Sequence, residues 1–111
     1  IFLKIDIETS EYRILKDIIS NQKKIIGLAI EFHDCDLHEK KIINFINSLD
    51  LTLVHIHGNN YSDKDLNGNP TAMELSFARF PIKKNKPISL PNKLDMPNNK
   101  NKKEVRLRFN D

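Results

Sequence analysis

The sequence has few of the features that mark secreted or membrane proteins. Its single cysteine, Cys35, has no partner for an internal disulfide, and no basic amino-terminal region followed by an apolar stretch indicates a secretory signal. The longest apolar runs, 25–30 and 51–56, are far shorter than the ~20 residues that a membrane-spanning helix needs. We therefore predict a cytoplasmic protein with no membrane partner.

Positive charge is scarce in the first part of the chain and abundant in the last. Residues 1–81 carry 9 basic and 12 acidic side chains, a net charge of −3, whereas residues 82–111 carry 9 basic and 3 acidic ones, a net charge of +6. Clustered lysines can bind the phosphates of nucleic acid or anionic lipid. This tail lacks the interleaved aromatic residues of a single-strand binding surface, so we interpret it as a solvated charge run and predict no nucleic-acid partner. The lysines concerned are Lys83, Lys84, Lys86, Lys100, Lys102 and Lys103.

Apolar periodicity predicts strands and helices in alternation. Nearly continuous or alternating apolar runs predict strands at 1–7, 25–32, 51–57 and 72–80. Helical spacing predicts helices over 10–20 and 38–49. The run at 25–32 is typical of a strand buried on both faces of a parallel sheet, and the alternation in 72–80 favours an antiparallel partner. The pattern predicts one α/β layer in residues 1–81, followed by an irregular tail, 82–111, with a short edge strand possible only at 105–109.

Polar residues follow the first three predicted strands. Since ligands bind outside the carboxyl ends of strands in open α/β sheets, we expect a site at that edge. Histidines and carboxylates there can act as a general base or ligate a divalent metal. The residues are Asp6, Glu8, Glu31, His33, Asp34, His55, His57, Asn59 and Asn60.

The same residues carry a resemblance to a known family. Residues Leu3 to Tyr12 resemble the Lys-Ile-Asp-Ile-Glu-Gly-Ser-Glu-Tyr signature of FkbM-type methyltransferases, which use S-adenosylmethionine. Thr9 stands where that signature has glycine. Further matches in the same order cover nearly the whole chain: Ile30–Asp34, His55–Tyr61, Pro70, Glu74–Phe77 and Pro97–Asn99.

The resemblance implies the C-terminal half of a Rossmann-like methyltransferase sheet, mostly parallel with a final antiparallel strand and with helices packed on it. It implies methyl transfer to a hydroxyl of a sugar or other secondary metabolite. By position it makes Asp6, Glu8 and His33 the catalytic candidates. The substrate-binding candidates are Glu31, Asp34, His57, Asn59 and Asn60.

The cofactor half of such an enzyme has no counterpart in this sequence. The three glycines, Gly27, Gly58 and Gly68, form no Gly-x-Gly pair, so we expect an inactive fragment of a longer domain. An alternative is that the chain has no autonomous function, because its exposed first strand lacks the neighbour of the full sheet, and we then expect aggregation or homodimerisation through that edge.

A rival motif predicts a small calcium-binding module. Asp63, Asp65, Asn67, Gly68 and Glu74 match the spacing of a calcium loop. The flanking segments are strand-like where helices are required, which favours a turn-rich loop instead. The segment 33–38, with two histidines and two aspartates, is a second possible metal site.

Overall fold

The computed structural model describes residues 1–82, 90–91 and 94–107, and it confirms the four predicted strands and the helix predicted over 38–49. The helix expected over 10–20 is divided at Ile14, whose φ of −108° and ψ of 0° lie outside the helical region. A short 3-10 helix, Ser10–Arg13, precedes α1, and another, Gln22–Lys24, follows it. The elements are β1 (Phe2–Ile5), α1 (Leu15–Ser20), β2 (Gly27–Phe32), α2 (Glu39–Ser48), β3 (Thr52–Gly58) and β4 (Met73–Ala78).

The four strands form one mixed sheet in the order β1-β2-β4-β3. Strand β1 pairs in parallel with β2, while β4 is antiparallel to both β2 and β3. Strands β1, β2 and β3 therefore point in one direction, and the last strand runs against them. The predicted α/β class and the antiparallel final strand are confirmed. Only one pairing is parallel, however, because β4 separates β3 from β2.

Both helices pack on one face of this sheet. Phe45 of α2 makes edge contacts with two strand residues, Phe32 at 5.9 Å and Phe77 at 6.1 Å between ring centroids. All three rings are buried, and Ile30 and Leu75 lie in the same cluster. Burying side chains of this size stabilises a fold by about 1.5–3 kcal/mol each. The packing fixes β2 and β4, the central strands, relative to α2.

The opposite face is polar and is contacted by the last described segment. Glu74 of β4 lies between Glu31 of β2 and His57 of β3, directly opposite both. On the same face, His55 Nε2 lies 2.8 Å from Asp95 Oδ1 and His57 Nε2 lies 3.2 Å from Glu104 Oε2. Part of the tail is therefore held against the sheet by acidic residues.

The tail predictions fall partly outside the described residues. Leu107 makes one isolated antiparallel bridge with Leu90, and Phe109, the end of the predicted edge strand, lies beyond the described range, as do Lys83, Lys84 and Lys86. Within the described ranges, no helix has both the length and the apolar character to cross a membrane. In the same ranges β1 pairs only with β2, and Phe2 is 71% exposed, so the edge needed for homodimerisation is present.

Candidate functional site

The ends of β1 and β2 bring four predicted site residues together. Because the two strands are parallel, Asp6 and Glu8 after β1 lie beside Glu31 of β2 and His33, which directly follows β2. His33 Nε2 lies 3.7 Å from Asp6 Oδ1, 3.6 Å from Glu8 Oε2 and 4.0 Å from Glu31 Oε1. We call Asp6, Glu8, Glu31 and His33 the carboxylate–histidine cluster.

A fifth residue, Glu11, orients the imidazole by contacting its Nδ1 side, away from the other three carboxylates. Its Oε1 accepts the backbone N–H of His33 at 2.6 Å and lies 3.0 Å from His33 Nδ1. The Glu11 side chain is fully buried, and its other oxygen, Oε2, has no hydrogen-bond partner in the described part of the chain. Glu11 was not among the predicted site residues, since its place at the start of a helix explains an acidic residue there. The sequence feature that could have indicated a role for Glu11 is its position in the Ser-Glu-Tyr part of the resembling signature.

Tyr12 fixes the backbone of the same turn. Its hydroxyl donates to the carbonyl oxygen of His33, and its ring packs on His38 with centroids 4.0 Å apart. Burial, together with the nearby charges of Cys35 and Glu11, raises the pKa of Tyr12 well above its ordinary value. The phenol therefore stays protonated and serves as a donor that holds His33 in place.

Left-handed backbone follows both strands. Glu8, Thr9 and Asp34 have φ values of 48°, 76° and 49°, a region that non-glycine residues occupy at a cost and β-branched ones least readily. Thr9 holds the position at which the resembling signature has glycine. The structure thus gives a physical reason for glycine there: the chain must turn sharply to place Glu11 beneath His33.

The electrostatics of the cluster are dominated by negative charge. Burial raises the pKa of Glu31, although the Asn59 amide donates to its Oε1 at 2.7 Å and opposes that shift, and the charge of Asp6 adds to it. Burial lowers the pKa of His33, but the hydrogen bond and charge of Glu11, with the charges of Glu31 and Glu8, raise it above its ordinary value overall. The surrounding carboxylates therefore favour the protonated form of the imidazole.

The remaining predicted site residues lie elsewhere. Asn59 joins the cluster through Glu31, whereas Asp34 is exposed in its left-handed turn. Asn60 is buried: its amide donates to Asn99 O at 2.9 Å, and its Oδ1 accepts the Asn99 backbone N–H at 2.6 Å. His57 faces Glu104. Asn60 and His57 thus anchor the last described segment, and their substrate-binding role stays a prediction.

A polar cavity of about 570 Å³ adjoins the cluster through Asn59. It lies between the loop that follows β3 and residues 102–106, and its lining includes Asn60, Asp63 and Lys64. Amide, carboxylate and ammonium groups of this kind can hydrogen-bond the hydroxyls of a polar ligand.

The proposed calcium loop connects two strands of a hairpin. It lies between β3 and β4, and Asp65 Oδ1 accepts the backbone N–H groups of Asn67 and Asn69, both at 2.9 Å. Gly68 supplies a φ of 79°, and Glu74 lies on β4 with its carboxylate 3.5 Å from Lys4 Nζ. The loop therefore has the turn chemistry expected of a polar connection.

Metal-ligand geometry is found at the cluster instead. Among the described residues, Asp6, Glu31 and His33 alone bring three ligand atoms within 4.8 Å of one another. The predicted 33–38 site is not assembled in this way, because the His38 ring packs against Tyr12.

Comparisons of the chain with protein-family models, with curated proteins and with solved structures gave no match.

Proposed function

We propose that this chain forms the acceptor side of an FkbM-type, S-adenosylmethionine-dependent O-methyltransferase that acts in the cytoplasm on a hydroxyl of a sugar or other secondary metabolite. One observation carries the proposal: the parallel strands β1 and β2 deliver three carboxylates and an imidazole to the same edge of the sheet. These side chains belong to the segments that match the family signature.

The strand directions support the same proposal. Three strands run in one direction and the last runs against them, as the resemblance implies for the C-terminal half of a Rossmann-like methyltransferase sheet. The helices Leu15–Ser20 and Glu39–Ser48 follow the first and second strands, so each strand end is free to carry a polar residue. Ligands bind at such carboxyl ends in related open sheets.

The chemistry required of this chain is acceptor positioning and proton removal. Methyl transfer needs the acceptor oxygen aligned with the methyl carbon, and a base if the hydroxyl must lose its proton. The Asp6 and Glu8 side chains are 45% and 84% exposed, so both can reach an acceptor hydroxyl. His33, which is only 15% exposed, is held by Glu11 with Nε2 toward those carboxylates. The polar cavity beside Asn59 has lining groups suited to a sugar.

The cofactor does not fit the residues of this chain. Gly27 begins β2, Gly58 ends β3, and Gly68 lies in the hairpin loop, so none forms a glycine-rich turn between a strand and a helix. We therefore propose that residues outside this chain bind the cofactor.

The proposal is tested by the coding sequence upstream of Ile1 and by calorimetry. We expect that sequence to encode a strand followed by a glycine-rich turn, and the product that contains both parts to bind one S-adenosylmethionine per chain. The 111-residue chain alone should show no saturable binding. A stop codon directly upstream, or tight stoichiometric binding by the 111 residues, would contradict the proposal.

A further inference from the structure

The cluster and Glu11 together bring an excess of negative charge around one imidazole. Asp6, Glu8, Glu11 and Glu31 each place a carboxylate oxygen within 4.0 Å of a ring nitrogen of His33. Among residues 1–82, 90–91 and 94–107, no lysine or arginine forms an ion pair with any of the four. Two of the four side chains, those of Glu11 and Glu31, are largely buried, and buried charge without a counter-charge is strongly unfavourable. A proton on His33 balances only one of the four charges, so a bound cation would offset the remaining excess.

His33 Nε2 makes no direct hydrogen bond with the carboxylates of Asp6 and Glu31. The distances from His33 Nε2 to Asp6 Oδ1 and to Glu31 Oε1 are 3.7 and 4.0 Å, which exceed hydrogen-bonding distance. Ligand atoms around an ion with bonds of about 2.1 Å lie roughly 3.0 Å apart when adjacent and roughly 4.2 Å apart when opposite. Small side-chain shifts therefore bring all three atoms onto one ion.

Glu11 gives an independent indication, because it lies behind the imidazole and outside the ligand set. Its fully buried carboxylate contacts Nδ1, and a proton on Nδ1 leaves the Nε2 lone pair directed at the carboxylates. A carboxylate that accepts from the distal nitrogen is the usual support of a metal-ligating histidine. The buried Oε2 of Glu11, unpartnered within the described residues, adds further uncompensated negative charge.

We propose that Asp6, Glu31 and His33 bind a divalent transition-metal ion, with Glu11 as a positioning residue and Glu8 at the open side. One imidazole nitrogen with two carboxylates suits Zn²⁺ or Mn²⁺ better than Ca²⁺ or Mg²⁺, which prefer all-oxygen sites. Metal binding by this chain is independent of methyl transfer. If the proposed function also holds, an ion here would act as a Lewis acid toward the acceptor hydroxyl.

Isothermal titration of the 111-residue chain with ZnCl₂ and with MnCl₂ tests the site. We expect one ion per chain, with an affinity that falls at least tenfold in Asp6→Asn and in His33→Gln. Asp6 is partly exposed, so Asp6→Asn keeps the fold even if His33→Gln does not. Glu11→Gln should weaken binding about 10–100-fold, the range found for residues that support a metal ligand.

His55→Gln provides the matched control. His55 lies on the same sheet but is paired with Asp95 instead of the cluster, so its loss should leave the affinity unchanged. The proposal is overturned by the absence of saturable Zn²⁺ or Mn²⁺ binding, by affinities that Asp6→Asn and His33→Gln leave unchanged, or by an equal loss in His55→Gln. None of these results bears on cofactor binding by the longer product, so the two proposals fail separately.

Discussion

Replacing Glu11 with glutamine isolates the contribution of its buried charge. The amide keeps the size of the carboxylate, and its oxygen can still accept the His33 backbone N–H that is now 2.6 Å away. The charge-assisted contact with Nδ1 at 3.0 Å is lost, and a hydrogen bond to a charged group contributes about 1.5–3 kcal/mol. Removing the charge also relieves part of its desolvation cost. We expect the free energy of unfolding to fall by about 1–2 kcal/mol.

Urea denaturation followed by far-UV circular dichroism measures this loss, since the chain has no tryptophan to report by fluorescence. Asp36→Asn makes the same change of charge at an exposed loop position and should stay within about 0.5 kcal/mol of the unchanged chain. If Glu11→Gln is as stable as Asp36→Asn, or more stable than the unchanged chain, then Glu11 does not hold His33 through its charge and the derived orientation of the imidazole is wrong.

Three further predictions concern the turn, the cysteine and the hairpin loop. Thr9→Gly should raise the free energy of unfolding by about 0.5–1 kcal/mol, because glycine adopts a φ of 76° without strain. The control Thr52→Gly, within β3, should lower the free energy of unfolding. The opposite order of stabilities would contradict the claim that the backbone at Thr9 is strained. Burial raises the pKa of Cys35 to about 12, so alkylation at pH 8 should be at least a hundredfold slower than in urea-unfolded chain; equal rates would refute its burial. Millimolar Ca²⁺ should leave the melting temperature unchanged, and a rise that Asp63→Ala abolishes would instead establish the loop as a calcium site.

The elements were predictable because their signals are local. Apolar spacing decides between strand and helix over each short segment, and the alternation of Met73, Leu75 and Phe77 indicated an antiparallel strand. The position of β4 between β2 and β3 was not predictable in this way. Alternation shows that a strand has one apolar and one polar face. It does not show which strand lies beside it, because any antiparallel strand with an apolar face on the same side of the sheet can pair with it.

The cluster itself followed from one topological rule. Once β1 and β2 are parallel, their carboxyl ends meet, and Asp6 and His33 are brought to the same edge. By the same rule His57, near the end of β3, and Asn60, after it, belong at this edge. However, β4 separates β3 from β2, and the tail supplies their partners, Glu104 and Asn99. Partners distant in sequence leave no periodic signal, so these contacts had to come from the structure.

Glu11 orients His33, yet the sequence pattern did not indicate it as a site residue. Pattern reasoning places acidic side chains on the solvent side of a helix, because a buried carboxylate is rare without a partner. Here the partner, His33, is 22 residues away and is reached only because Glu8 and Thr9 adopt left-handed backbone. A buried charge that requires strained turns is hard to explain by stability alone, since apolar residues of the same volume are often as stable. The strained backbone of the turn is more readily explained by the orientation that Glu11 gives to His33. The metal affinity of the Glu11→Gln variant therefore tests function more directly than its free energy of unfolding does.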